Sequence, residues 1–501
     1  MKIESIILLT YIVSLSILFF FASHGFSMIY FYFKTFNKRT EDIDPKDFVI
    51  KDYPFVTIQL PLYNEKYVIC RLIDAALRVD YPKDKLEIQI LDDSTDDTTE
   101  IIEKHIKPYV EQGFIINHIH RTNRQGYKAG ALKEGLKTAL GEFVAIFDAD
   151  FIPRKNFLNR TIPYFLKDEK IGLVQTRWEH INRDYSILTK TQAIALDGHF
   201  VVEQAVRNRA GFFINFNGTG GIWRKECIFD AGNWEADTLT EDLDLSYRAQ
   251  MKGWHLKYLV NFTSPSELPA DINALRSQQF RWTKGAIETA KKIYPKVLKS
   301  DLPFREKFQS FIHLWSNLAY PFILLAAILN PMVTLIKETG EYDPVFKFMS
   351  FFIFAFVSSM MFYLYSQKDV YPDWQRRIIY FPVFMMGSMG LSVNNLKAVW
   401  EGLINKKTEF VRTPKYKIVS DTDTVHDKKY HAKKVSLVAY VEALLSIYSF
   451  IGVGISVYYA QIASIPFQLM FSLGFGIISY LSFKQVITHN RAIKLALSTN
   501  V

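Results

Sequence analysis

The chain has 501 residues, of which 49% are hydrophobic and 15% aromatic, and its formal net charge is +9. The length allows two or three domains, and the aromatic content is high for a soluble protein, so we expect a soluble part and a membrane part. No RNA- or DNA-binding signature is present, and the basic residues cluster beside apolar segments, a pattern that favours anionic membrane lipid over nucleic acid as a partner. Cys70 and Cys227 have neither a zinc-site spacing nor that of a disulfide framework.

The N-terminal stretch, residues 5–33, is apolar and uncharged except for His24, and it is long enough to span a bilayer. Basic residues follow it at Lys34, Lys38 and Arg39. The positive-inside rule therefore places the N-terminus outside and the chain beyond it in the cytoplasm. A cleaved signal peptide is the alternative, but the stretch is too long and lacks a small-residue cleavage site.

Further apolar stretches follow a long region that has none, and we predict spans at about 310–336, 345–366, 436–459 and 462–483. The stretch 378–404 is a candidate sixth span, but that topology would place the basic loop after it outside, against the charge rule. We favour an amphipathic helix in the cytoplasmic interface, and so five spans with the C-terminus inside.

This pattern predicts an integral protein of a bacterial inner or plasma membrane. We predict three parts, namely an N-terminal transmembrane helix (1–39), a cytosolic domain (40–305) and a C-terminal membrane region (306–501).

The region 40–305 alternates short β-rich runs with helical patterns. The predicted strands are 55–62, 86–91, 114–119, 143–147 and 171–176, and the predicted helices lie near 65–79, 97–112 and 127–139. Such alternation indicates βαβ units and an α/β fold with a mostly parallel sheet. In sheets of this kind, ligands bind beyond the carboxyl ends of the strands.

The run "FVAIF" ends at two carboxylates, Asp148 and Asp150. Helix capping is the ordinary explanation for acids after a strand, but two carboxylates at this spacing repel each other unless a cation lies near them. Mg²⁺ or Mn²⁺ would meet that need and would complete its shell with substrate phosphates. The sequence therefore predicts a metal bridge to a diphosphate and a nucleotide-binding domain.

Other charged groups fit the same chemistry. Lys128 begins a predicted helix, where a cation and backbone N–H groups could meet phosphate, although a solvated lysine is the alternative. Glu241, Asp242 and Asp244 crowd the start of another helix, either as caps or to supply a general base. "QQFRW", residues 278–282, offers an arginine for a leaving diphosphate and a tryptophan for a sugar ring, or else a lipid anchor.

Taken in order, these motifs resemble the family 2 inverting glycosyltransferases, in particular cellulose synthase and the cellulose-synthase-like mannan and glucomannan synthases. The matching stretches include "QLPLYNE", "ILDDSTDDT", "NRQGYKAGALKEG", "AIFDADF", "VQTRW", "FNGTGGIWR", "TEDLDLSYRA" and "QQFRW", and they run from residue 55 to residue 285. The resemblance implies a GT-A-type nucleotide-sugar-binding domain inserted between transmembrane helices.

The resemblance also implies roles for the matching residues. It implies that Tyr63, Glu65, Asp92 and Asp93 hold or adjoin the nucleoside, and that Lys128 contacts the base or the diphosphate. It implies that Asp148 and Asp150 carry Mg²⁺ or Mn²⁺, that Asp242 beside Glu241 is the catalytic base, and that Gln278, Arg281 and Trp282 hold the diphosphate and the terminal acceptor sugar. Asn217 and Gly218 would line the acceptor end.

The stretch "TEFVRTPKY", 408–416, resembles the gating loop of cellulose synthases, and we place that loop at about 405–434. If it gates, Thr413 would touch the donor diphosphate and Phe410 would seat the loop. Arg412 departs from the family's pattern, and a basic lipid-surface loop is the alternative.

The expected activity is transfer of a hexose from UDP-glucose or GDP-mannose to a growing β-glycan. A membrane transferase that adds one sugar to a lipid, as ceramide glucosyltransferases do, shares the same core motifs and is the rival hypothesis. A transporter or binding protein with a decayed transferase domain is disfavoured, because the carboxylates are all present.

Overall fold

A computed structural model describes residues 2–41, 48–408, 415, 417–418 and 435–499. Within these residues the chain forms one mixed sheet with helices on both faces, followed by long apolar helices.

The sheet has seven strands in the order β3-β2-β1-β4-β6-β5-β7. Their bounds are β1 (Val56–Leu62), β2 (Leu86–Asp92), β3 (Ile115–His120), β4 (Phe143–Ile146), β5 (Ile171–His180), β6 (Gly221–Arg224) and β7 (His255–Ser266). β1 pairs in parallel with β2 and β4, β2 with β3, and β5 with β7, whereas β6 runs antiparallel to both of its neighbours. The sheet is therefore mostly parallel, as predicted.

The central strands are buried on both faces, which explains their continuous apolar character. Every residue of β1, β2 and β4 is buried. Successive side chains alternate across the sheet, so Phe143 and Ala145 join one hydrophobic cluster and Val144 and Ile146 join the other. This two-sided core fixes where β4 ends and so where Asp148 and Asp150 emerge.

Helices cover the sheet and frame its carboxyl edge. They are α2 (Ile69–Leu77), α3 (Thr98–Glu111), α4 (Tyr127–Leu136), α5 (Phe157–Lys167), α6 (Ile187–Asp197), a π-helix (Gly198–Gln204), α7 (Ala205–Ala210), α8 (Lys225–Asp230), α9 (Glu241–Met251) and α10 (Ile272–Lys299). The first helix, α1 (Ile3–Lys34), precedes the sheet and packs mainly on the apolar helices that follow α10. The three helices predicted between the first four strands are α2, α3 and α4.

A second group of helices follows α10. They are α11 (Phe304–Trp315), α12 (Ala319–Lys337), α13 (Asp343–Met349), α14 (Ile353–Lys368), α15 (Trp374–Ile378), α16 (Phe381–Gly390), α17 (Ser392–Leu403), α18 (Leu437–Tyr458) and α19 (Ile465–Thr499).

Five helical stretches in the described part of the chain are long and apolar enough to cross a membrane. They are Ile3–Lys34, Phe304–Lys337, Asp343–Lys368, Leu437–Tyr458 and Ile465–Thr488, which agrees with the predicted number. Lys2 forms an ion pair with Glu341 at 2.6 Å, so the N-terminus and the connection after α12 lie at the same end of the bundle. The predicted topology requires this arrangement, while the orientation in a membrane and the domain division stay predictions.

The stretch predicted as an interfacial helix, 378–404, is not one helix, because it breaks at Leu391 into α16 and α17. α16 packs on α19 so closely that a Cβ at Gly390 would lie 2.4 Å from the carbonyl oxygen of Gly474. α17 packs on α10, where a Cβ at Gly402 would lie 3.0 Å from Ile287. The two helices thus pack closely on different neighbours, and the interfacial location stays a prediction.

Candidate active site

A cleft opens at the carboxyl ends of β1, β2 and β4, with α9 and α10 on its far side. Most of the predicted site residues line it, namely Tyr63, Glu65, Asp93, Lys128, Asp148, Asp150, Asn217, Gly218, Glu241, Asp242, Gln278, Arg281 and Trp282. These residues span more than two hundred positions of the sequence, and the strand order brings them to one place. Their roles stay predictions.

Asp148 and Asp150 follow β4, and each carboxylate is bound by an ammonium group. Lys128 donates to Asp148 Oδ1 at 2.5 Å and to the carbonyl oxygen of Gly218 at 2.9 Å. Lys415 donates to Asp150 Oδ2 at 2.7 Å and to the carbonyl oxygen of Glu267 at 3.1 Å. The two cations relieve the repulsion between the carboxylates, which is the electrostatic need that the sequence predicted.

These lysines show that the acidic pair accommodates positive charge. Hard carboxylate oxygens that face a polar cleft also suit Mg²⁺ or Mn²⁺. A second acidic group, Glu235, Asp237 and Asp244, has ligand atoms within 4.8 Å of one another. Lys292 bridges its three carboxylates, with contacts of 2.5, 2.8 and 3.1 Å, and none of the three lines the cleft. Asp148 and Asp150 are also bound by lysines, but both line the cleft, so the acidic pair after β4 is the better candidate for a metal beside a substrate.

Asp92 and Asp93 are neighbours but face opposite ways. Asp93 lines the cleft, where Arg121 donates to its two carboxylate oxygens at 2.8 and 2.6 Å. Asp92 is fully buried, and His118 and His120 lie 3.1 and 3.3 Å from its Oδ2. Asp92 therefore lies beside the cleft without lining it.

Hydrogen bonds keep the Asp92 carboxylate ionised. Burial alone would raise the pKa of Asp92, but hydrogen bonds from His118, Ser94 and Thr99 outweigh it and hold that pKa well below its usual value. A charged, fully bonded carboxylate at the end of β2 fixes the backbone from which Asp93 projects.

The sequence motifs did not single out several other residues that line the cleft. The guanidinium of Arg124 lies 3.5 Å from the centre of the Tyr63 ring, a cation–π contact, and both residues line the cleft. Trp178 and Lys415 also line it. Arg124 and Trp178 lie within stretches that match the family pattern, so that pattern could have pointed to them.

Asp242 lies in the first turn of α9, opposite the acidic pair, and its Oδ1 accepts a hydrogen bond from the N–H of Leu243 at 2.8 Å. Burial, aided by the charge of Glu241, raises the pKa of Asp242 to about 7. Burial also raises the pKa of Glu241. A carboxylate with a pKa near neutrality is suited to accept a proton.

Gly218 approaches this carboxylate closely. Its φ is +80°, and a Cβ there would lie 2.9 Å from Asp242 Oδ2 and 3.4 Å from Lys128 Nζ. The preceding residue, Asn217, accepts a hydrogen bond at Oδ1 from His199 Nε2 at 3.0 Å. A glycine is thus needed at 218 for both its backbone conformation and the space beside Asp242.

Gln278, Arg281 and Trp282 lie along one stretch of α10 and line the cleft. The same helix contacts the segment before Glu241, because a Cβ at Gly285 would lie 2.6 Å from Thr240 Cγ2. α10 therefore connects the "QQFRW" residues with the candidate base.

Thr413, Phe410 and Arg412 of the predicted gating loop lie outside the described residues, so their prediction stays untested. Lys415, which is described, reaches the cleft from this same stretch of sequence.

Comparisons with known proteins agree with this geometry. Residues 54–285 match the model of a family described as "Glycosyltransferase like family 2". The chain is 41% identical over 288 residues to probable glucomannan 4-beta-mannosyltransferase 4 of Oryza sativa subsp. japonica. The aligned segment covers 56% of this chain and 51% of that protein. It is 36% identical over 352 residues to glucomannan 4-beta-mannosyltransferase 7 of Arabidopsis thaliana. That aligned segment covers 66% of this chain and 63% of that protein. These matches span between half and two thirds of the length of those relatives.

Among solved structures, the chain is similar to the mannosyltransferase PcManGT from Pyrobaculum calidifontis in complex with GDP-Man and Mn²⁺. The TM-score is 0.54 at 18% identity, and the match covers 79% of this chain and 100% of that one. At this identity the likeness concerns the fold, which is of the GT-A type. The family match shows that residues 54–285 form a domain of the family 2 glycosyltransferase type, and the structural likeness adds the fold alone.

Proposed function

We propose that this chain is a membrane-embedded inverting glycosyltransferase that transfers mannose from GDP-mannose to the end of a β-linked glycan. The observation that carries the proposal is one cleft that gathers the acidic pair after β4, the acidic pair at the start of α9 and the "QQFRW" residues of α10. The glucomannan mannosyltransferases among its relatives support mannose as the sugar, and UDP-glucose is the second donor to test.

The nucleoside would lie between the ends of β1 and β2. Tyr63, stacked under Arg124, offers an aromatic face, and Asp93, held by Arg121, offers carboxylate oxygens to hydroxyl or amide N–H groups. Because Arg121 fixes its orientation, Asp93 would not need to reorganise when the nucleoside binds.

The diphosphate would lie beside Asp148 and Asp150, which would hold Mg²⁺ or Mn²⁺. A divalent ion bound there would neutralise the diphosphate as it leaves. Lys128 and Arg281, which also line the cleft, supply positive charge from the protein itself. Developing negative charge on a leaving group is stabilised best by cations already in place.

Asp242 would take the proton from the attacking acceptor hydroxyl. One displacement at the anomeric carbon forms the new glycosidic bond, breaks the bond to the diphosphate and inverts the configuration of an α-linked donor to β. Asn217 and Gly218, beside Asp242, would line the acceptor end, and Trp282 would stack on the terminal sugar. No covalent nucleophile on the protein is needed for a single displacement.

The orientation of the domain is part of the proposal. Basic residues after α1 and the ion pair of Lys2 with Glu341 support a cytosolic catalytic domain, with the N-terminus and the connection after α12 on the opposite side. The named relatives are plant proteins, so they give no support to a bacterial membrane. Membrane lipid and a lipid-linked acceptor stay within the proposal as partners to test.

The test is a transfer assay on the full chain in nanodiscs. The protein is incubated with Mn²⁺ and labelled GDP-mannose or UDP-glucose, and the labelled product is sized and digested with β-mannanase or β-glucanase. A long, mannanase-sensitive polymer from GDP-mannose is expected, and Asp242→Asn should abolish it. A single sugar on lipid would replace transfer to a growing glycan as the proposed activity. No transfer from either donor would overturn the proposed function.

A further inference from the structure

A buried ion pair joins the helix that carries "QQFRW" to a membrane-type helix. Glu442 lies in the second turn of α18, one of the candidate spans, and its side chain is fully buried. Arg276 of α10 binds it with both terminal nitrogens, Nη1 to Oε1 at 2.9 Å and Nη2 to Oε2. A charge inside a spanning segment is costly, so such residues are rare and usually serve a function.

Arg276 makes two more contacts at the same point. Its Nε donates to Ser482 Oγ of α19 at 3.1 Å, and its carbonyl oxygen accepts from Asn394 Nδ2 of α17 at 3.1 Å. One residue thus bonds α10 to three helices at once, which fixes the position of α10 along its own axis as well as its distance from them.

The start of α10 is held to the same bundle. Asp271 caps the helix by accepting from the N–H of Ala274 at 2.9 Å. Gln485 of α19 bonds to both Asp271 and Asn273, at 2.9 and 2.8 Å. The start of α10 is therefore held to the membrane-type helices by directional hydrogen bonds and not only by apolar packing.

The other part of α10 carries the site. Trp282 follows Arg276 by six residues, about 9 Å along a rigid helix. Further on, Glu288 accepts from the N–H of Leu239 at 3.0 Å, and the hydroxyls of Thr289 and Thr240 lie 3.0 Å apart. A shift of α10 would displace both Trp282 and the segment that leads to Asp242.

We propose that Arg276 and Glu442 are positioning residues for sugar transfer: they lock α10 to the membrane helices so that Trp282 and Arg281 face Asp242 in register. The inference rests on the proposed function. Neither residue touches the cleft, so both act through α10. A misplacement of about 1 Å at a reacting centre can reduce the rate by about 100-fold, so a small slip of α10 is sufficient.

The test compares Glu442→Gln, Arg276→Lys and Ser482→Ala in nanodiscs. We expect Glu442→Gln to lower kcat for transfer by about 10- to 100-fold. KM for the donor should change less than kcat, because only Gln278 and Arg281 of the proposed donor site lie on α10 and the nucleoside residues lie on other elements. Ser482→Ala removes one hydrogen bond and should give a smaller loss in the same direction. Hydrogen–deuterium exchange over residues 276–285 should rise in step with the loss.

The matched control is Ser446→Ala with Ser472→Ala. These serines bond α18 to α19 through each other's carbonyl oxygens, at 2.8 and 3.1 Å, instead of binding α10. The control should keep kcat and the exchange of 276–285 unchanged. A folded Glu442→Gln with kcat within about twofold of wild type, or an equal loss in the control, overturns the inference.

Two further outcomes are decided in the same experiment. If Glu442→Gln fails to assemble, Arg276→Lys is judged by the same criteria. If the wild-type protein transfers no sugar, the proposed function fails, and the exchange measurement alone decides the anchoring: unchanged exchange over 276–285 overturns it.

Discussion

The ammonium group of Lys415 lies 2.7 Å from Oδ2 of Asp150, the second carboxylate of the acidic pair after β4. The two residues are 265 positions apart in sequence. Lys415 thus supplies to Asp150 the positive charge that Lys128 supplies to Asp148. A divalent ion bound to Asp150 would have to replace this contact, so lysine and metal compete for one carboxylate.

Lys415→Met should therefore tighten the binding of Mn²⁺ in the absence of nucleotide. A hydrogen bond to a charged group is worth about 1.5–3 kcal/mol, so its loss should lower the Kd for Mn²⁺ by about tenfold or more. Free Mn²⁺ measured by electron paramagnetic resonance during a titration gives the Kd directly. Lys417→Met is the control, because Lys417 is exposed two residues away. Unchanged or weaker Mn²⁺ binding in Lys415→Met would contradict the competition.

Asp150→Asn should abolish transfer while the protein still assembles in the membrane. The amide keeps the shape of the carboxylate but loses its charge, and a metal contribution of several kcal/mol corresponds to at least about a thousandfold in rate. Transfer per mole of purified protein is the measurement. Asp97→Asn is the control: Asp97 lies at the same sheet edge, half exposed and paired with Lys66, and does not line the cleft. Near-normal turnover in Asp150→Asn would disprove the metal-bridge assignment.

The position of the acidic pair could be predicted from the sequence, because an apolar run buried on both faces has to end where the sheet ends. The same logic located the other parallel strands of that half of the sheet. The same reasoning did not predict the strands β6 and β7. β6 has four residues, too few for a pattern, and β7 contains polar residues and a proline within "HLKYLVNFTSPS". Pairing with β5, which is formed only in the fold, keeps β7 in the sheet.

For the site, too, local motifs were predictable from the sequence and contacts between distant segments were not. Motifs within one segment, such as "QQFRW", predicted which residues reach the cleft. The opposite directions of Asp92 and Asp93 follow from strand alternation, but only once the end of β2 is known. The contacts of Lys415 with Asp150 and of Arg276 with Glu442 join distant segments, so no local pattern could have indicated them.

Gly218→Ala should impair transfer by crowding the candidate base. The φ of +80° strains any residue with a Cβ, and that Cβ would lie 2.9 Å from Asp242 Oδ2. We expect a loss of about 100-fold in kcat, since the carboxylate has to move away from the acceptor. Gly113→Ala is a matched control, because its φ is +83° but no atom lies within 4 Å of the added Cβ. Both variants should lose some thermal stability, and only Gly218→Ala should lose activity.

The pH dependence of transfer should report the ionisation of Asp242. Because its pKa is raised to about 7, the carboxylate that accepts the proton is present above that pH and lost below it, so kcat/KM should fall on the acid side of neutrality. Glu241→Gln removes a neighbouring negative charge, which should lower the pKa of Asp242 and move this acid limb to lower pH. The profile is measured with saturating Mn²⁺ for both proteins. An acid limb that stays in place or moves to higher pH in Glu241→Gln would show that another group controls it and that Asp242 is not the base.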